Sequence, residues 1–224
     1  GPLAMADYDG DGDLDLFVGG RFFPGHYPRG VSSRLFKNDN GQFVEDKTNN
    51  SKLREIGLVS SAVFTDIDGD GDQDLLITRT WDSVLLFENR DGVFHNVSEE
   101  MGLKGHTGWW NGVTTGDFNN DGLTDFVVSN IGINSLYRLY NGNPLRMYYK
   151  DMNGDNWIDI ILAYADENGT YRPLQRLYNF HSIPAISNKY RSYTNFSEAT
   201  MSDIFGESLS TLPYKEINTL EHTV

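Results

Sequence analysis

Four short apolar runs recur along the chain: LFVG from Leu16, LLIT from Leu75, FVVS from Phe126 and IILA from Ile160. Each follows a nine-residue stretch dense in Asp, Asn and Gly, and each such stretch follows a half-apolar segment: LAMA, AVFT, GVTTG or RMYYK. The first two units match further downstream. LFKNDNGQFVED from Leu35 aligns with LFENRDGVFHNV from Leu86, and IGL at Ile56 aligns with MGL at Met101. Runs this short, bounded by turn residues and rich in β-branched and aromatic side chains, predict strands. Asn-Asp-Asn-Gly and Asn-Arg-Asp-Gly predict tight hairpin turns.

One unit therefore reads as strand A, acidic loop, strand B, variable loop, strand C, turn and strand D. Four antiparallel strands per repeat predict a β-propeller blade. The fold class is all-β, a partial propeller of about four blades spanning 1–224, at about 1–50, 59–100, 108–144 and 145–224. The acidic loops start at Asp7, Asp66, Asp117 and Asp151. The last gap is the shortest, and SLYRLYNGNP leaves no room for a full C–D hairpin, so the third blade is expected to be abbreviated.

From about 173 to 206 the two-residue period is lost. Ile183, Ile186, Tyr190 and Tyr193, then Ala199, Ile204 and Phe205, fall at roughly helical spacing. A helical insertion packed on one side of the propeller is predicted, its second helix capped by Asn195 or Ser197 and ended by Gly206. LPYKEINTL then returns to strand character, in the fourth blade or its successor.

The acidic loops carry the chemistry. DYDGDGDLD, DIDGDGDQD, DFNNDGLTD and DMNGDNWID all place Asp, Asp or Asn, Asp and Asp at positions 1, 3, 5 and 9. Oxygen ligands from carboxylates, amides and one backbone carbonyl suit a hard cation of flexible geometry, Ca²⁺ before Mg²⁺. The candidate ligands are Asp7, Asp9, Asp11, Asp13 and Asp15; Asp66, Asp68, Asp70, Asp72 and Asp74; Asp117, Asn119, Asp121, Leu123 and Asp125; and Asp151, Asn153, Asp155, Trp157 and Asp159. Gly12, Gly71 and Gly122 at position 6 permit a sharp turn, and Asn156 is the next best residue for a left-handed backbone. An EF-hand needs Glu at position 12 and a helix after it. Position 12 here is Val18, Ile77, Val128 or Leu162, all in predicted strands. Sixteen of the 32 acidic residues sit in these loops, and four Ca²⁺ ions would move the net charge from −14 to −6. Without a counterion, each loop would repel itself apart.

That acidity argues against a nucleic-acid partner. Cysteine is absent, which excludes disulfides and zinc–thiolate sites. No apolar run reaches the length of a membrane span. The opening GPLAMADYD lacks an initiator Met and is already strand-like, so further blades in a longer chain are expected.

The motif D-x-[DN]-x-D-G-x-x-D between two strands resembles the FG-GAP/VCBS repeat of integrin-α-like β-propellers. DGDLDLFVGGR, LFKNDNGQFVED, GWWNGV and SEATMSDIFGE resemble large secreted bacterial proteins of the cartilage acidic protein-like (ASPIC/UnbV) type. The resemblance implies a calcium-binding propeller serving adhesion, glycan binding or, occasionally, polysaccharide cleavage.

Calcium loops join A to B, so B–C and D–A connections should share the opposite face. This places Arg21, His26, Tyr27, Trp81, Trp109, Trp110 and Asn134 on one surface, where aromatics beside Arg and Asn would form a glycan or protein hot spot. Trp109 or Trp110 taken singly fits better as a plug between blades, whereas Trp81, between Thr80 and Asp82 in a predicted loop, is expected to be exposed. No G-x-S-x-G, H-E-x-x-H or P-loop pattern occurs, and no catalytic residue is predicted; only Arg21 and His26 would suit a lyase. The expected function is an extracytoplasmic, calcium-stabilised binding or adhesion module, the alternative being part of a calcium-dependent polysaccharide-active enzyme. The location (periplasmic, cell-surface or secreted) follows from the calcium levels at which such loops fill.

Overall fold

The computed structural model of the protein describes residues 1–223. The strands of the first half are β1 (Leu3–Ala6), β2 (Asp15–Val18), β3 (Arg34–Asp39), β4 (Gln42–Glu45), β5 (Leu58–Thr65), β6 (Asp74–Ser83), β7 (Leu85–Arg90) and β8 (Val93–Asn96), with a one-turn helix α1 (Lys47–Asn50) after β4. Then come β9 (Thr107–Trp109), β10 (Gly112–Gly116), β11 (Asp125–Ser129), β12 (Leu145–Lys150), β13 (Asp159–Ala165) and β14 (Tyr171–Pro173). Short helices α2 (Pro184–Ser187), α3 (Tyr193–Ser197) and α4 (Met201–Phe205) precede the last strand, β15 (Tyr214–Ile217). All strand pairings are antiparallel.

Contacts divide the chain into two compact units. The first comprises 1–23, 28–132 and 220–224, and the second 24–27 and 133–219.

The first unit holds two sheets of the predicted order, β1-β2-β3-β4 and β5-β6-β7-β8. Each C–D hairpin closes through two residues of positive φ, Asn40–Gly41 and Asp91–Gly92, as the Asn-Gly and Asp-Gly signals require. A core of Tyr8, Phe17, Leu35, Leu53, Phe64, Leu75, Phe87 and Phe94 joins residues of both sheets. The other face of β6 and β7 contributes Leu76 and Leu86 to a second cluster with Trp110 and Val128. Burial on both faces accounts for the continuous apolar run of β6.

The third repeat is abbreviated, as its spacing predicts. There β10 and β11 form a two-stranded sheet, Val128 of β11 makes an isolated antiparallel bridge to Thr223, and β9 instead adds to β6 of the second sheet. The Asn141–Gly142 turn is closed by one isolated bridge between Tyr140 and Asn143.

In the second unit the fourth sheet departs from the blade order. Its sequence is β14-β13-β12-β15, so the final strand pairs beside strand A and makes no C–D hairpin. The helical insertion supplies most of this unit's core: Phe180, Ile183, Ile186, Phe196, Ala199, Met201 and Ile204 pack with Tyr148, Ile161 and Ala163 of the sheet. The caps differ from those predicted. Ser192 caps α3, accepting from the N–H of Asn195, and Ser197 is the last residue of that helix. Thr200 caps α4 in a reciprocal box with Asp203. Thr200 and Asp203 satisfy two orphan N–H groups at once, which neither Asn195 nor Ser197 could do from within α3. Gly206 ends α4 as expected.

Candidate metal centres

All four A–B connections fold by one set of internal hydrogen bonds. The position-1 carboxylate accepts the N–H of position 6: Gly12 to Asp7 at 2.9 Å, and Gly71 to Asp66, Gly122 to Asp117 and Asn156 to Asp151 at 3.0 Å. Position 5 accepts from position 7: Asp13 to Asp11 at 2.9 Å, and Asp72 to Asp70, Leu123 to Asp121 and Trp157 to Asp155 at 2.8 Å. Position 9 reaches back to the N–H of position 2, from Tyr8, Ile67, Phe118 and Met152, at 2.9–3.1 Å. The position-6 residue has positive φ in every loop: Gly12 94°, Gly71 97°, Gly122 87° and Asn156 68°. This left-handed step lets the chain wrap around its own carboxylates. Val18, Ile77, Val128 and Leu162 all lie within strands, so no helix follows any loop.

Carboxylate oxygens converge in groups of three in the first two loops. One oxygen each from Asp7, Asp9 and Asp11, and likewise from Asp66, Asp68 and Asp74, lie within 4.8 Å of one another. The third and fourth loops carry Asn at position 3. There the amides of Asn119 and Asn153 donate to Asp121 and Asp155 at 3.0 Å, occupying the second oxygen of the position-5 carboxylate.

The position-9 residues differ in burial. Asp15 and Asp74 are fully buried, whereas Asp125 and Asp159 are half-buried. Burial pushes the carboxyls of Asp15, Asp74 and Asp159 above their ordinary values, against the lowering effect of their backbone hydrogen bonds. A cation in the loop would oppose that shift.

Sequence reasoning missed the residues that lock these loops to their sheets. Asn38 donates its N–H to Asp15 Oδ1 at 2.8 Å and its amide to Leu14 O at 3.1 Å, and accepts the N–H of Gly41 at 2.8 Å. Asn89 repeats this with Asp74 at 2.8 Å, Gln73 O at 3.2 Å and Gly92 at 2.9 Å, and adds Tyr8 O of the first loop at 2.7 Å. The signal was the Asn that opens both aligned turns, NDNG and NRDG, which reads as turn chemistry and conceals its role behind the loop. Nearby, Asp46 accepts from Tyr8 Oη and from the Asn49 amide, both at 2.7 Å. Burial alone would raise the Asp46 carboxyl; hydrogen bonds from Asn49 and Tyr8, with Lys37 nearby, outweigh it and hold the group below its usual range.

The predicted ligand face needs correction. Trp81 is 2% exposed, not a loop-tip aromatic. The segment expected as a loop is the end of β6, because β9 pairs onto it through Thr80, Asp82 and Ser83. Trp81 is the extra residue of that bulge, with φ 61°, which turns its ring inward to meet Trp109 at 5.3 Å. Trp110 is 1% exposed and plugs the second core, as the alternative reading of that residue had it. The indole N–H groups of Trp81 and Trp110 have no partner among the described residues. Arg21 and Asn134 are exposed and Tyr27 is half-buried. Arg21, Trp81 and Trp110 belong to the first unit, and Tyr27 and Asn134 to the second.

A family model of the FG-GAP-like repeat matches residues 7–77 and 66–128, each match beginning at the first Asp of an acidic loop. These matches span more than half of the chain, and the protein belongs to the FG-GAP-like repeat family. No curated protein matches it. No helix among the described residues is long and apolar enough to cross a membrane.

Proposed function

We propose that this FG-GAP-like repeat protein is an extracytoplasmic recognition module whose acidic loops hold calcium, up to four ions, and whose partner is a glycan or another protein. The carrying observation is the convergence of three carboxylates within 4.8 Å in each of the first two loops. Two oxygens on opposite sides of a calcium ion lie roughly 4.6–5.2 Å apart. Positions 1, 5 and 9 already spend oxygens on backbone N–H groups, which preorganises each loop so that a cation meets its ligands with little further ordering. Position 7 would add a backbone carbonyl, which explains why Leu123 and Trp157 are acceptable there. Within the family we place the chain nearest the ASPIC/UnbV type, on its GWWNGV and SEATMSDIFGE segments, and read its A–loop–B sheets as propeller blades. Loops of this kind fill at the millimolar calcium found outside cells, which supports the extracytoplasmic location.

The test is a melting curve of metal-free protein with and without calcium, beside a calorimetric titration. Stabilisation should follow mass action, about 2.7 kcal/mol per site at a hundred times the dissociation constant. An unchanged melt together with no binding heat would sink the proposal.

A further inference from the structure

The helical insertion has a charge unlike the rest of the chain. Residues 173–206 carry Arg176, Lys189 and Arg191 against Glu198 and Asp203, a net charge of +1 in a protein of net charge −14. The same stretch lines the wall of a half-open cleft of about 670 Å³ in the second unit, within the size range of small-ligand sites. Two aromatic rings stand exposed at this cleft: Tyr178 is 68% and Tyr193 is 64% accessible. Their bases are fixed. Tyr193 opens α3 directly after its Ser192 cap, and Tyr178 meets the His181 ring edge-on at 5.1 Å. Beneath them Phe196 is buried against Phe180 and Tyr190 at 5.7 and 5.5 Å.

The two arginines of the cleft play different parts. Arg172 is committed: its Nε donates to Asp166 at 2.9 Å and its guanidinium also bonds the carbonyl of Glu198, tying β14 to the end of α3. Arg176 is exposed on the cleft wall and makes no ion pair among the described residues. A guanidinium without a carboxylate partner, set beside two exposed phenol rings, is a receptor for a planar anion carried on a flat, partly apolar body. Arginine binds carboxylates through two parallel N–H bonds, and sugar C–H faces stack on aromatic rings.

We propose that this cleft binds an acidic sugar, a uronate unit of an oligosaccharide, with Arg176 receiving the carboxylate and Tyr178 and Tyr193 the ring face. The assignment deepens the recognition-module reading and rests on it for the class of partner. It moves the ligand site away from the tryptophans of the first unit and onto the insertion.

The experiment is isothermal titration of the calcium-loaded protein with a linear tri-uronate, too short for calcium to cross-link, and with a neutral trihexose of the same linkage. Melting curves with and without calcium run alongside. The tri-uronate should bind and weaken with added salt, and the trihexose should bind at least tenfold more weakly. Arg176→Gln should remove that preference, and Tyr193→Ala should reduce affinity tenfold or more, both with unchanged melting temperature because both side chains are exposed. Arg176→Lys should recover part of the preference, since it restores charge without the planar fork. If the tri-uronate fails to bind while calcium still raises the melting temperature, the cleft assignment falls and the module reading stands. If it binds but ignores both substitutions, the site lies elsewhere. Equal binding of both trisaccharides would overturn the acidic-sugar class. Absence of any calcium effect would count against the module reading alone.

Discussion

The first and second acidic loops share all five aspartates and the same three internal hydrogen bonds, yet their surroundings carry opposite charge. Lys37 on β3 places its ammonium 2.9 Å from Asp9 Oδ2, beside the ring of Tyr8 at 5.6 Å. The aligned position on β7 is Glu88, which is paired with Arg90 and whose charge, with those of Asp70 and Asp66, adds to the desolvation that raises Asp68. The first loop thus carries part of its own counterion, and under the proposed calcium reading the second would take its counterion from outside. Ligand identity sets what kind of ion such a loop accepts, while neighbours outside the loop set how strongly. The third and fourth loops extend the contrast, since they replace a carboxylate by Asn and have no C–D hairpin to grip position 9.

The widest gap between loops should appear at position 9. Asp74→Ala removes the acceptor for two N–H groups, Ile67 and Asn89, in a fully buried site. The expected cost in metal-free protein is at least about 2 kcal/mol, since each unsatisfied buried donor costs about 1–3. Asp125→Ala, half-buried and accepting only from Phe118 among the described residues, should cost about 1 kcal/mol or less. Urea unfolding of both variants measures the difference; equal losses would show that the sheets do not grip their loops unequally.

Exchanging the neighbours should exchange the affinities. Lys37→Glu should tighten calcium at the first loop and Glu88→Lys should loosen it at the second. Each changes the local charge by two units at a partly exposed position, worth about 1–2 kcal/mol, or roughly five- to thirtyfold in dissociation constant. Site-resolved titration by NMR decides it, and no change in either constant would leave the loop ligands alone in control.

A smaller effect concerns pH, with its sign opposite in the two metal states. In metal-free protein Asp15 and Asp74 have folded values raised by burial, so they take up protons more readily folded than unfolded. Their contribution to stability is present at low pH and is lost as pH rises through the folded values. Asp46 runs the other way: its folded value is depressed, so its contribution is present above the unfolded value, about 3.9, and is lost as pH falls through the folded one. Through these groups, metal-free protein should gain stability as pH falls through the raised values of Asp15 and Asp74 and lose it as pH falls through the depressed value of Asp46. With calcium bound, acidification should destabilise throughout, because protons compete with the ion. Thermal melts in a pH series, with and without calcium, test both slopes.

The smallest effect should come from Leu123→Ala. The side chain is 60% exposed, and position 7 would offer the ion only its carbonyl. Stability and calcium affinity should move by less than about 0.5 kcal/mol, as is usual for surface substitutions. A larger loss would mean that the leucine side chain, not its backbone, matters there.

The strands and loops were legible because each rests on local chemistry: Asn-Gly and Asp-Gly turns, glycine or Asn156 at a left-handed step, and apolar runs after each loop. What remained hidden depends on pairing between distant segments. Nothing near Trp81 announces that β9, more than twenty residues later, will extend β6 and convert an apparent loop tip into a buried bulge. Likewise the helical period across 183–205 marked the insertion, but the placing of its caps at Ser192 and Thr200 depends on how it breaks into three short pieces against the fourth sheet. The position of β15 beside β12 follows from closure after that insertion, and no residue of YKEI specifies a partner.

Asn89 touches both of the first two loops. Its N–H holds Asp74, while its amide holds Gln73 O and, at 2.7 Å, Tyr8 O between Asp7 and Asp9. Ordering either loop therefore restrains the other through one side chain, so the two should act as a cooperative pair, with a second ion admitted more readily than the first. By the same linkage, losing one ion should loosen the seam between the two repeats, making this junction sensitive to a fall in calcium before the strands themselves come apart.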